Sequence, residues 1–275
     1  NVLTRYIKHT SNLFYKVGHY RRKSDVTAVG IRILKVRENG LPRQSADWLA
    51  MTRCVGADDS VRPYKVRWKI CEALFPGTAG IEAGKGSFCY NCTGSCKIID
   101  RTFKCHKRSG HGLMTLKSGL ANSCNTFFYN FAFNIGADAI FNMASSLNFG
   151  KSFDICEGIA SAAGSLPQRE SLDNIAYLAN FSIGQGELLL SPAAMLTLYC
   201  AAAYDGSYAL PTAVAGTLAG GKFTPTAERG RTRVMTARTA KELREYLSAV
   251  ITEGTGKAAA PKTVSAAGKT ATAQT

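Results

Sequence analysis

A chain of 275 residues is long enough for one large domain or two small ones and for a buried core, and with 45% hydrophobic and 19% charged residues it is not wholly disordered, collagenous or repetitive. Its net charge of +15 is concentrated at the front, where residues 1–85 hold 16 Lys or Arg against 7 Asp or Glu. A field of that sign attracts nucleic acid, anionic lipid and anionic wall polymer alike, so charge alone names no partner, and no nucleic acid is expected.

No run approaches the roughly 18 unbroken apolar residues of a membrane span. Asn1 opens no charged and apolar leader, so any membrane anchor is expected in a segment outside this chain. Val26 to Val36 alternate as a strand does, with Val29, Ile31 and Ile33 on one face, and Glu38-Asn39-Gly40 supplies a hairpin turn. Ser45 to Leu74 carries no readable period, because Arg62, Lys65, Arg67 and Lys69 interrupt each apolar face. Helices become legible after Phe75. Leu116 and Leu120 share one helical face, Ser123-Cys124-Asn125 interrupts, and Phe127, Phe131 and Ile135 at a spacing of four begin the next helix. Ser191-Pro192 places a capping hydroxyl before a first-turn proline and opens a helix that runs to Tyr204. Thr239 with Glu242 reads as a capping box ahead of Leu243, Leu247, Val250 and Ile251, with Gly254 ending that helix. Thr263 to Thr275 are small and β-tolerant and read as a terminal strand. No internal repeat or linker divides the chain, so one domain is the simpler organisation.

Three segments stand out together. Ser123-Cys124-Asn125 lies at a helix junction, Ser182-Ile183-Gly184-Gln185-Gly186-Glu187-Leu188 precedes a helix, and Gly268-Lys269-Thr270-Ala271-Thr272-Ala273-Gln274 sits on the terminal strand. Alone, a Ser-x-Asn is more often a helix cap, and a Lys-Thr more often an edge kept soluble by charge. In this order, with Cys105, His111-Gly112, Leu116, Phe128-Tyr129, Pro192 and Gly254-Thr255-Gly256 between and around them, they resemble the second and third motifs of the penicillin-recognising serine enzymes. The resemblance is to the transpeptidase domain of class B penicillin-binding proteins. It covers about Ala73 to Thr275 and leaves residues 1–72 as a poorly matching N-terminal part of the domain.

Acyl transfer to or from a peptide needs a nucleophilic hydroxyl, a neighbouring group to move its proton, and donors for the developing oxyanion. A Ser-Lys pair is one variant of that arrangement. The resemblance implies that Ser123 relays a proton to the leaving group, Asn125 holds the substrate's amide, and Lys269 supplies positive charge in the cleft. It also implies that Thr270 and Thr272 bind the terminal carboxylate of a D-alanyl-D-alanine stem peptide, with the Thr272 backbone N–H as half of the oxyanion hole. No cofactor is implied. Gly184 and Gly186 are expected to shape a supporting turn, and Cys124 to be a packed thiol facing away from the cleft.

Two departures stand against the pattern. Ala271 occupies the position of the family's third-motif glycine, where substrate backbone must come close. The first motif, Ser-x-x-Lys, occurs nowhere in the chain. Ser60 with Lys65 is the nearest nucleophile candidate, and its position ahead of Ser123 suits the family, but the pair is five apart and Pro63 breaks the helix that would display it. The basic excess, the unperiodic stretch and the missing tetrad are together what a local shift of reading frame in the gene would leave; the alternative is divergence to a pseudoenzyme, which would show fewer faults at once.

Nine cysteines are many for a cytosolic chain of this size, and Cys89, Cys92, Cys96 and Cys105 fall in one short segment. With His106 they offer enough ligands for a structural zinc site and, on a basic chain, a nucleic-acid finger, but their spacing matches no finger pattern. In an extracytoplasmic enzyme a disulfide between Cys92 and Cys105, and no metal, is the expectation.

The expected fold is α+β, an antiparallel central sheet flanked by helices as in D,D-transpeptidases and β-lactamases, stopping at the third-motif strand without the C-terminal strands that follow in the family. The implied function is peptidoglycan D,D-transpeptidation by a serine acyl-enzyme on the outer face of a cell membrane. Stem peptides and β-lactams are the implied ligands, and a glycan-polymerising protein the implied partner. The alternative is a homologue that binds wall peptide without being acylated.

Overall fold

Four N-terminal strands, β1 (Arg5–His9), β2 (Leu13–Arg21), β3 (Val26–Lys35) and β4 (Trp48–Val55), pair in chain order as an antiparallel meander. The computed structural model describes these strands by their backbone, and residues 73–270 apart from 157, 220 and 221. The alternation at Val26 to Val36 is β3. Its neighbour β4, paired from Val26↔Val55 to Ile33↔Trp48, lies within the stretch whose sequence carries no readable period. The turn read at Glu38-Asn39-Gly40 lies outside the described residues.

From Ala73 onward helices alternate with short antiparallel ribbons. In chain order they are α1 (Leu74–Glu82), β5 (Cys89–Cys92), β6 (Ser95–Ile98), β7 (Arg101–Lys104), β8 (Gly112–Thr115), α2 (Leu116–Ala121), α3 (Asn125–Ile135), α4 (Ala137–Ser146), β9 (Asp154–Cys156) and β10 (Ile159–Ala160). Then come α5 (Ile175–Ser182), α6 (Pro192–Ala203), β11 (Ser207–Ala209), β12 (Gly216–Ala219), β13 (Lys222–Pro225), β14 (Arg231–Arg233) and α7 (Ala237–Thr252). The pairs are β5 with β8, β6 with β7, β9 with β10, β11 with β14 and β12 with β13, all antiparallel. The fold class is therefore α+β, as the sequence implied.

The core is built on α3, whose Phe127, Phe128 and Phe131 are fully buried with Leu116 and Leu120 of α2. Burying each phenylalanine removes apolar surface from water for about 1.5–3 kcal/mol. Helix α1 comes so close to α3 that a Cβ on Gly80 would lie 2.2 Å from the Phe131 ring. Helix α6 is buried on nearly every side, whereas α7 turns Leu243, Leu247, Val250 and Ile251 inward.

Two sequence expectations are corrected here. The cap of α7 is Thr236, three residues before Thr239: Thr236 Oγ1 accepts from the Thr239 N–H at 3.1 Å. The acid that completes the cap is not Glu242. Glu82 of α1 accepts the Thr236 N–H at 2.9 Å, so the box is closed by a neighbouring helix. The terminal strand is the second. Residues 266–270 run without a strand ladder, and the Gly268 N–H donates to Leu247 O of α7 at 3.1 Å. Residues 271–275 lie outside the described residues.

Candidate active site

The turn between α2 and α3 fixes the first group. The Cys124 N–H reaches back to Gly119 O at 3.0 Å and the Ser123 N–H to Leu120 O at 3.3 Å. This is the paired bonding of a Schellman ending, which requires the residue after the cap to be left-handed. That residue is Ser123, at φ 51°. Helix α5 ends in the same way, with Gly184 in the equivalent place at φ 66° and the Gln185 N–H on Asn180 O. At α5 the chain uses glycine, which adopts this conformation freely. At α2 a serine holds it against a cost of roughly 1–2 kcal/mol. Strain of that kind is retained where the side chain has a task.

Lys269 meets that serine. The residue is 5% exposed, and an amine so far out of water needs partners. Its Nζ donates to Ser123 Oγ, and to Thr270 O at 3.2 Å. Thr255 joins from the end of α7: its Oγ1 is 3.5 Å from Ser123 Oγ and 2.6 Å from Thr270 Oγ1, and its N–H donates to Ala121 O at 3.0 Å. Only glycine fits beside it, because a Cβ on Gly254 would lie 2.1 Å from Ala121 O. Asn125 starts α3, and its Nδ2 donates to Lys104 O at 3.5 Å.

The structure thus brings Ser123, Lys269 and Thr270 into one hydrogen-bonded group, with Asn125 two residues from Ser123. Thr272, Ala271, Ser60 and Lys65 lie outside the described residues. Thr255 is a member that the sequence reading passed over, since Gly254-Thr255-Gly256 had been read only as a helix end and a family marker. Chemically, an amine hydrogen-bonded to a serine hydroxyl can pass a proton through it, and two threonine hydroxyls beside an ammonium group form a cradle for a carboxylate.

The cysteines arrange themselves differently from expectation. Cys92 and Cys105 are free thiols, not a disulfide. Both sulfurs face the same imidazole: His111 Nδ1 stands 3.6 Å from Cys92 Sγ and 3.5 Å from Cys105 Sγ. Cys124 is fully buried, as expected of a packed thiol, and its Sγ lies 3.9 Å from Cys105 Sγ. The hydrogen bond between the two sulfurs, with the backbone N–H groups of Lys107, Thr126 and Asn125, draws the Cys105 thiol below the ordinary thiol range against the opposing effect of burial. Cys124 itself is pushed up by the same bond and by burial. The zinc ligands weighed from sequence included Cys89, Cys96 and His106. The set that could hold an ion is instead Cys92, Cys105, His111 and Cys124, whose donor atoms all lie within 4.8 Å of one another.

Helices on antiparallel ribbons, with a left-handed serine at a helix junction and a buried lysine bonded to it, are arranged as in the transpeptidase domains of penicillin-binding proteins. Residues 77–275 match the family model described as the penicillin binding protein transpeptidase domain, and the chain belongs to that family, on its class B side. It is 27% identical over 187 residues to Stage V sporulation protein D of Bacillus subtilis, covering 66% of this chain and 28% of that one. It is 27% identical over 180 residues to Peptidoglycan D,D-transpeptidase MrdA of Acinetobacter baumannii, covering 62% and 27%. The chain therefore spans little more than a quarter of the length of these curated relatives. Among solved structures it resembles penicillin binding protein 3 of Mycobacterium tuberculosis in complex with aztreonam, with TM-score 0.58 and 25% identity over 68% of this chain and 42% of that one. The D,D-transpeptidase domain of a peptidoglycan glycosyltransferase from Eggerthella lenta, at TM-score 0.66 and 22% identity over 75% and 53%, is alike in fold.

Proposed function

We propose that the chain carries the proton-relay and carboxylate-binding half of a peptidoglycan D,D-transpeptidase site. The observation that supports this most is the buried Lys269 ammonium on the Ser123 hydroxyl, with the Thr255 and Thr270 hydroxyls alongside. In this reading the Thr255 and Thr270 hydroxyls and the Lys269 charge hold the terminal carboxylate of a D-Ala-D-Ala stem peptide or the carboxylate of a β-lactam. Asn125 accepts or donates to the substrate's amide, and Ser123 passes the proton to the departing amine, so that the amine leaves neutral. Thr272, from the same motif, belongs to the carboxylate side. The reaction takes place outside the cytoplasmic membrane, where wall peptides are, beside a protein that polymerises glycan. Among the described residues no helix is long and apolar enough to cross a membrane.

The lack of any Ser-x-x-Lys among the 275 residues favours a second reading for the chain as it stands, in which wall peptide is bound and not acylated. Calorimetric titration with a diacetyl-Lys-D-Ala-D-Ala peptide tests what the two readings share. Saturable binding that is lost for the L-Ala-L-Ala peptide and weakened in Thr270→Val supports the carboxylate cradle. Equal response to both peptides, or none, removes it.

A further inference from the structure

We propose that Lys104, Lys107 and Arg108 form a cationic subsite beside Asn125, which takes a free carboxylate carried by the substrate peptide ahead of its terminal D-Ala-D-Ala. The inference rests on the acyl-transfer reading above and adds a specificity to it. The sequence sets up the charge. Residues 83–137, which hold β5 to β8, α2 and α3, contain seven Lys or Arg and a single acid, Asp100, and five of the seven cations fall between Lys97 and Arg108. In the β6–β7 ribbon Ser95 pairs with Lys104 and Lys97 with Thr102, so Lys97 and Lys104 lie diagonally on one face. Lys104, Lys107 and Arg108 are exposed, and no ion pair joins any of them to another described residue. Like charges gathered in this way repel one another and set up a field that favours an anion.

The backbone that carries these cations is fastened to the site. The N–H groups of Lys107 and Asn125 both donate to Cys105 Sγ, so the two backbones meet across one sulfur. Asn125 Nδ2 donates to Lys104 O at 3.5 Å. The loop after β7 closes tightly: the Gly110 N–H donates to Lys107 O at 3.1 Å, and a Cβ on Gly94 would lie 2.0 Å from Arg108 O. The main chain at Lys107 and Arg108 is therefore held from the inside, and the two side chains are left in solvent. Charge carried on a fixed loop costs less to order around a ligand than charge on a free one.

The direction of the substrate brings an anion to this loop. In the acyl-transfer reading the terminal carboxylate rests on Thr255, Thr270 and Lys269, and the amide further up the peptide is held by Asn125. A peptide running from the cradle past Ser123 and Asn125 continues toward the ribbon whose Lys104 carbonyl Asn125 touches. The residues ahead of D-Ala-D-Ala then pass Lys104 and the loop of Lys107 and Arg108. A neutral peptide satisfies the cradle alone, whereas one with a second carboxylate satisfies both ends. Because the three cations are exposed, each contact is screened and of modest size. Such contacts select among peptides more than they hold them.

The test is calorimetric titration of the whole chain with two peptides that differ in one group: acetyl-γ-D-Glu-(Nε-acetyl-Lys)-D-Ala-D-Ala with its glutamyl α-carboxylate free, and the same peptide with that group as carboxamide. At about 10 mM salt, where the Debye length is about 30 Å, the free carboxylate should bind roughly 3–10-fold more tightly. The difference should vanish near about 1 M salt, where that length is about 3 Å. A double variant, Lys107→Gln with Arg108→Gln, should lose most of the preference and bind the carboxamide peptide as wild type does. Lys241→Gln, at the end of α7 away from Thr255, removes a cation elsewhere and should keep the preference. Equal binding of the two peptides, or a preference that survives in the double variant, overturns the subsite and leaves the cradle standing. Binding of neither peptide defeats the acyl-transfer reading and the subsite with it. A γ-D-glutamyl-lysine fragment without D-Ala-D-Ala, or a phosphodiester polymer, bound as tightly as the full peptide would show a non-selective basic surface and likewise overturn the proposal.

Discussion

Ser123 and Lys269, 146 positions apart in the chain, are hydrogen-bonded to one another at the α2–α3 junction, amine to hydroxyl. Neither is placed by its own element alone. Ser123 is held left-handed by the ending of α2, and Lys269 is delivered by a segment anchored to α7 through Gly268.

Ser123→Gly should therefore separate stability from function. Glycine relieves the left-handed conformation and should raise stability by about 1 kcal/mol, or roughly 2–4 °C in melting temperature. It also deletes the hydroxyl bonded to Lys269, so binding of the D-Ala-D-Ala peptide should weaken. Thermal melts beside calorimetry check both; a lower melting temperature would show that the Oγ contacts outweigh the backbone strain.

Lys269→Met keeps length and volume and removes the buried ammonium. Replacing a buried ion by an apolar side chain is often neutral or stabilising, so the melting temperature should hold while peptide affinity falls. A drop of several degrees with unchanged affinity would make Lys269 structural.

Gly254→Ala should act at a distance from any reacting group. The added methyl meets the Ala121 carbonyl, and the turn must retreat at a cost of about 1–3 kcal/mol, taking the Thr255 hydroxyl away from Ser123 and Thr270. Denaturant midpoints report the first effect and calorimetry the second. Thr255→Val should reproduce the loss of affinity without the loss of stability.

Asp205 gives a pH dependence away from the site. Its carboxylate accepts from Ser207 Oγ at 2.6 Å and from Arg233 at 2.8 Å, which together hold it at about 2. A carboxyl depressed on folding contributes fully above its unfolded value near ~3.9 and ceases to contribute as pH falls to the folded value. The group is half exposed, so the contribution is screened to less than about 1 kcal/mol. Urea midpoints of Asp205→Asn should lie below wild type at pH 6 and converge with it near pH 2; a gap that persists at pH 2 would exclude the charge as its cause.

The helices and the second-motif junction were legible because they rest on local signals: apolar spacing in α3, serine before proline at α6, a polar interruption after Leu120. The sites that were missed depend on approach between distant segments. Thr255 acquires its neighbours through a backbone contact that only Gly254 allows. The four-residue sulfur and imidazole cluster was obscured by nearer cysteines. Cys89 and Cys92 are three apart on a strand and so point to opposite faces; one is exposed and one is buried, and grouping them by proximity in sequence selected the wrong partners. The α7 cap was misplaced by one turn because its acid, Glu82, comes from α1.

In the reading proposed above this chain carries a relay and a carboxylate cradle, and it has no serine with a lysine one helical turn beyond it. Intact-protein mass spectrometry after incubation with benzylpenicillin tests it most directly, on the chain as it stands and on a form whose first 72 residues are read from the shifted frame of the gene. No adduct is expected on the present chain. The shifted frame should supply a Ser-x-x-Lys ahead of Leu74, and this form should gain one penicilloyl mass, with acylation slowed about 10²–10⁴-fold by Lys269→Ala. A stable adduct on the present chain, mapped to Ser60, would contradict it.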